Sequence, residues 1–112
     1  MSYTLSMIRR SLFEIFKTEE FSKWLKFQSP MIRTRVNARL DLISLGHFGD
    51  HKKFDGLIEL RWKNGTRVYS FKKGNSIIVV LFGGNKNGQN KDIIKAKKIR
   101  DEVLSGTRIF YK

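Results

Sequence analysis

The chain has 112 residues, of which 23 are basic and 10 acidic, giving a formal charge of +13; it has two histidines and no cysteine. That length sets one domain with a thin core, and 40% hydrophobic content is that of a globular protein. Disulfide and thiol chemistry are excluded, zinc loses its commonest ligand, no apolar run is long enough to cross a bilayer, and the charge favours a polyanionic partner.

Residues 1–10 are weakly patterned; Met7 would serve as a start, which makes Met1 to Ser6 an extension outside the core. No signal-peptide core precedes the first element, so the chain reads as cytoplasmic. Leu12 to Lys17 is rich in Phe and Ile and predicts a strand. Thr18 is placed as an N-cap, with Glu19 and Glu20 in the first turn, and Phe21, Trp24 and Leu25 at helical spacing predict a short amphipathic helix to about Phe27. Ser29-Pro30 starts a second helix, with Ile32, Val36, Leu40 and Ile43 on one face, which Gly46 ends. His47 to Asp55 reads as a polar loop carrying His51, Lys52 and Lys53.

Three strands then follow: Gly56 to Lys63, Thr66 to Phe71 and Ser76 to Phe82, the first two joined by the hairpin signal Asn64-Gly65. Ile77 to Phe82 is apolar on both faces, which predicts cover on both and a neighbour on each edge. The strand at residues 12–17 is the remaining candidate neighbour. Gly83 to Gln89 reads as a cationic glycine loop. A helix from about Asn90 to Leu104 puts Ile93, Ala96, Ile99 and Val103 inward and Lys91, Lys95 and Lys98 in an outward row. Thr107 to Lys112 is a tail.

These motifs in this order resemble the RelE/ParE superfamily of toxins from bacterial toxin–antitoxin pairs, and more narrowly its HigB-like addiction-module killer, or phage-derived, branch. The residues that carry the resemblance are Thr18-Glu19-Glu20-Phe21 with Trp24-Leu25, Arg39-Leu40, Gly46-His47-Phe48-Gly49-Asp50, and Gly56-Leu57-Ile58-Glu59-Leu60-Arg61. Arg67-Val68-Tyr69, Leu81-Phe82-Gly83-Gly84-Asn85-Lys86, Gln89, Asp92-Ile93 and Ala96 complete the set. The turn at Asn64-Gly65 is shorter than the glycine-rich loop common in that branch, and Asn85 stands where the branch usually has Asp. The resemblance implies a single α+β domain, core about 12–104 with extensions 1–10 and 105–112. Its order would be β-α-α-β-β-β-α, around a mainly antiparallel four-stranded sheet in the order 1-4-3-2.

By the same resemblance the chain would be a metal-independent mRNA endoribonuclease acting on the ribosome, with no cofactor. Its partners would be mRNA, the ribosome and a cognate helix-turn-helix antitoxin, through which alone it would meet promoter DNA. The ribose 2′-OH would attack its own phosphate, and cations fixed on a sheet would stabilise the phosphorane. Arg67, where the resemblance places a functional arginine, is the first catalytic candidate, against the plainer reading of a strand arginine paired with Glu59. Lys86 is the second, because that branch carries a basic catalytic residue there and Gly83, Gly84 and Gly88 would let amides approach an anion.

Arg61 is a further catalytic candidate, set against the equally good reading of a surface ion pair with Glu59 or another carboxylate. A two-residue turn pairs it with Val68 and puts it opposite to Arg67; one more loop residue, or a bulge, puts both on one face. RNA-binding candidates are Lys52, Lys53, Gln89, Lys91, Tyr69 and His51. Tyr69 could stack on a base, although its alternation with Phe71 suggests core. His51 alone has an unperturbed pKa suited to a general base at neutral pH. Two alternatives share the fold: a gyrase-inhibiting ParE-like toxin, and a catalytically inactive RNA-binding module.

Overall fold

The computed structural model describes residues 11–112, so the extension expected at Met1 to Ser6 lies outside the described residues. The fold is α+β. Its elements are β1 (Glu14–Thr18), α1 (Glu19–Lys26), α2 (Pro30–Ser44), β2 (His51–Phe54), β3 (Leu57–Arg61), β4 (Thr66–Lys73) and β5 (Ile77–Asn85). A 3-10 turn (Lys86–Gly88), α3 (Gln89–Leu104) and β6 (Phe110–Tyr111) follow.

The sheet has six strands, not the expected four, in the order β2-β3-β4-β5-β1-β6. The four expected strands are contiguous within it as β1-β5-β4-β3; β1 runs parallel to β5 and the other pairs are antiparallel. Both additions are at the edges. β2 lies in the segment read as a polar loop; Asp55 at φ 51 and Gly56 at φ 77 fold it onto β3 through a type I′ turn. Lys97 and Arg100 of α3 hold that turn, Lys97 Nζ reaching Asp55 Oδ2 at 2.7 Å. β6 lies in the segment read as an extension. Phe110 packs edge-on against Phe16, with ring centroids 5.5 Å apart, and Arg108 bridges Glu20 and Glu102.

Caps decide where the first two helices begin. Thr18 Oγ1 accepts the Phe21 amide at 3.2 Å and donates to the Leu81 carbonyl at 2.7 Å, so one hydroxyl caps α1 and ties it to β5. Ser29 Oγ accepts the Ile32 amide, and Pro30 occupies the first turn of α2.

The strands bury side chains on both faces, as the apolar run in β5 predicts. Against α1 and α2 pack Ile58, Leu60, Val68, Ile78 and Val80, meeting Phe21, Val36, Leu40 and Ile43. Against α3 pack Leu57, Tyr69, Phe71, Val79 and Leu81, meeting Ala96, Ile99 and Val103. Each of these large apolar side chains contributes about 1.5–3 kcal/mol by burial.

Gly83 and Gly84 are not loop residues. They extend β5 and pair with Val68 and Arg67, past an irregularity in the ladder at Tyr69/Ser70. Close packing requires glycine at both. A methyl at Gly83 would lie 2.4 Å from the Trp24 ring, and one at Gly84 would lie 2.0 Å from Asp92 Oδ2.

Candidate active site

The geometry left open at Arg61 and Arg67 is decided by the turn between β3 and β4. Gly65 adopts φ +97 and its amide donates to Trp62 O at 3.0 Å; the Trp62 amide donates to Thr66 O at 3.1 Å. The loop is therefore Lys63-Asn64-Gly65, one residue longer than the simplest Asn-Gly turn. Arg61 pairs directly with Arg67, and the two side chains share the α3 face of the sheet. Like charges opposite each other across a strand pair destabilise it unless other groups balance them.

Their immediate surroundings hold them apart. Arg61 Nε donates to Glu59 Oε1 at 2.7 Å, and Gln89 Nε2 donates to Glu59 Oε2 at 2.6 Å, so both carboxylate oxygens of a fully buried Glu59 are engaged. The ion pair expected as an exposed surface contact is instead anchored in the sheet. Arg67 Nη1 donates to the Trp62 and Thr66 carbonyls at 3.1 and 2.9 Å, while its Nε is buried without a partner. Behind the site, Arg39 stacks on Trp62 at 4.3 Å and donates to the carbonyls of Phe48, Asp50 and Arg61. Burial pulls the Arg39 pKa below its ordinary value, against the opposing pull of Asp50.

Lys86 reaches the same turn. Its amide donates to Gly65 O at 2.8 Å, and its side-chain stem runs past Gly65. Its ammonium is exposed at a shallow groove of about 380 Å³ lined by Lys86, Asn87, Gly88, Gln89, Asn90 and Lys91. The three cations named as catalytic thus converge on one end of the sheet, around the β3–β4 turn and the start of α3.

Two acidic side chains to which sequence reasoning assigned no catalytic role lie at this end of the sheet. Glu59 is the first; its position next to Arg61 in Glu59-Leu60-Arg61, two apart on a strand and so on one face, was the available signal. Asp92 is the second. Burial pushes its pKa up, while Lys95 and Lys91 pull it down. Among the described residues Asp92 takes part in no ion pair. No three His, Cys, Asp or Glu side chains among the described residues group closely enough to hold a metal ion.

Several RNA-binding candidates fall elsewhere. Tyr69 has no exposed surface and cannot stack on a base; it is core, as its alternation with Phe71 suggested. Its hydroxyl faces Glu59, whose two oxygens are already held by Arg61 and Gln89, and makes no well-formed hydrogen bond among the described residues. Burial first, then the charges of Glu59 and Asp92, drive its pKa far above the ordinary phenol value. His51 pairs with Leu60 and so belongs to the opposite face of the sheet from Arg61, where Nδ1 meets Gly49 O at 2.7 Å. Lys53 shares that opposite face. Lys52, opposite Glu59, is on the site's face but on the outermost strand. Gln89 is in the site through Glu59, and Lys91 is exposed at its rim.

No protein-family profile matches the chain. It is 36% identical over 94 residues to a protein of Haemophilus influenzae (strain Rd), an alignment covering 80% of this chain and 95% of that protein. The chain belongs to that protein's family. The relative is described as an uncharacterized protein, so kinship adds no activity to the geometry. Among the described residues, no helix is long and apolar enough to cross a membrane.

Proposed function

We propose that the chain is the toxin of a type II toxin–antitoxin pair: a metal-independent endoribonuclease of the RelE/ParE kind that cleaves mRNA on the ribosome and is silenced by a cognate helix-turn-helix antitoxin. The observation that carries this reading is the direct cross-strand opposition of Arg61 and Arg67. Two arginines opposed across a strand pair, of which Glu59 balances only Arg61, leave positive charge that an anion would satisfy, and a phosphodiester that gains charge on the way to a phosphorane is such an anion. The ordered motifs shared with the HigB-like branch support the same assignment.

In this mechanism Arg61 and Arg67 grip the scissile phosphate. Glu59 and Gln89 fix the Arg61 guanidinium, so it does not reorganise during reaction. Lys86, exposed at the groove, approaches a non-bridging or leaving oxygen. The 2′-oxygen displaces the 5′-oxygen and leaves a cyclic phosphate. The antitoxin carries the complex to promoter DNA.

The deciding experiment adds the purified protein to a cell-free translation reaction and maps the new 3′ ends of the message. Cyclic phosphate ends produced by the wild type and lost in Arg67→Ala and Lys86→Ala are expected. Intact message, with growth arrest accompanied by DNA damage, would move the assignment to gyrase. Salt-dependent RNA binding without cleavage would leave an inactive RNA-binding module.

A further inference from the structure

We propose that Asp92 is the general base that takes the 2′-hydroxyl proton; this inference rests on the ribonuclease reading above. The juxtaposition is geometric. Arg67 pairs with Gly84, so the Gly84 backbone lies beside Arg67 on the α3 face. Gly84 has no side chain, and the Asp92 carboxylate fills the space: Oδ2 lies 2.0 Å from where a methyl would stand. The carboxylate therefore covers the ladder position directly across from Arg67. It also lines a groove of about 690 Å³ with Phe82, Lys91, Lys95 and Lys98, so it is reachable from solvent as buried Glu59 is not.

The two carboxylates divide the work. Both oxygens of Glu59 are occupied by Arg61 and Gln89, which makes it a positioning residue. Among the described residues Asp92 forms no ion pair, and burial raises its pKa against the pull of Lys95 and Lys91, which suits a proton acceptor. In the step, the 2′-O–H bond breaks and its proton goes to Asp92 while the 2′-oxygen bonds to phosphorus. The P–O5′ bond breaks, the electron pair leaves with O5′, and water protonates O5′. The products are a 2′,3′-cyclic phosphate and a 5′-hydroxyl, and Asp92 returns its proton to solvent. The charged or titratable groups facing Asp92 are Lys91, Lys95 and Lys98 of its own helix, Tyr69 of β4, Glu20 of α1 and Arg108 beyond α3; Tyr69 in turn faces Glu59 of β3 and neighbours Arg67.

The test compares wild type, Asp92→Asn, Asp92→Glu and Gly84→Ala on a message cleaved in translation reactions, over a range of pH. Binding of an oligonucleotide carrying a 2′-deoxy residue at the cleavage site is measured alongside. Asp92→Asn is expected to lower the cleavage rate about 10²–10⁴-fold, to abolish the rise of rate with pH, and to leave binding of the 2′-deoxy oligonucleotide unchanged; Asp92→Glu should restore part of the rate. Gly84→Ala keeps the carboxyl but forces it aside, and should lose activity without adding to the loss in the Asp92→Asn background. Wild-type rate and pH profile in Asp92→Asn, or full activity in Gly84→Ala, would overturn the assignment while the ribonuclease reading stands. A wild type that cleaves no RNA would remove both.

Discussion

The two faces of the central sheet are cut from the same strands yet do different work. Toward α1 and α2 the strands present Ile58, Leu60, Val68, Ile78 and Val80, and this largely apolar surface is broken by Ser70, whose hydroxyl donates to the Ile58 carbonyl at 3.1 Å. Toward α3 the same strands present Leu57, Phe71, Val79 and Leu81 at one end and Glu59, Arg61, Arg67 and Tyr69 toward the other. There, a buried carboxylate, a buried phenol and opposed guanidiniums replace hydrocarbon. One face holds the protein together; the other keeps charge fixed at some cost in stability, which the proposed anion site would require.

Substitutions on the two faces should therefore separate stability from activity. The largest stability loss is expected on the first face: Phe21→Ala should cost about 3–5 kcal/mol in chemical unfolding, because Phe21 is fully buried against the sheet. If that variant kept its stability but lost RNA cleavage, the division of labour would be wrong. On the second face, Arg67→Ala should reduce cleavage about 10²–10³-fold, equivalent to about 2.7–4 kcal/mol of transition-state stabilisation. Its melting temperature should hold or rise, since a like-charge pair is relieved. A melting temperature that fell with the rate would make Arg67 a structural residue.

Glu59→Gln lies between these extremes. It removes the charge that balances Arg61 while keeping the shape, and should lower stability by about 1–3 kcal/mol together with activity. Loss of activity alone would make Glu59 a direct participant. Tyr69→Phe should change stability by less than about 0.5 kcal/mol and leave RNA cleavage intact, because the hydroxyl it removes is buried and makes no hydrogen bond. A strong loss of RNA affinity would return Tyr69 to the binding surface.

The subtlest difference is in pH. Asp92 holds its proton more tightly when folded than when unfolded, because burial disfavours its charge. Stability is therefore fullest below the unfolded carboxylate value and declines as pH rises, until the folded carboxyl has also ionised. Asp92→Asn should flatten that decline, and urea titrations at acid and neutral pH would reveal it. An unchanged slope would mean that the carboxyl is not desolvated in solution.

Local signals carried much of the fold. Thr18 and Ser29 cap as their spacing suggests, and the apolar run from Ile77 marks a strand covered on both faces. Asp55-Gly56 was as legible a turn as Asn64-Gly65, but His51-Lys52-Lys53-Phe54 before it lacks the alternation that marks a strand; an edge strand with little to bury has no need of it. Phe110 and Tyr111 pair with β1 through contacts some ninety residues distant in sequence, which no local pattern encodes.

The amino-acid sequence by itself determined the elements, the charge and the residue types from which a phosphate site can be made, because caps, periodicity and turn chemistry act over a few residues. Tertiary structure decided which of those residues meet. A single loop residue at Gly65 sets the parity that puts Arg61 beside Arg67. Contact with Trp24 and Asp92 turns Gly83 and Gly84 from loop into strand. A side chain's face depends on register, and register is fixed by packing between segments far apart in the chain.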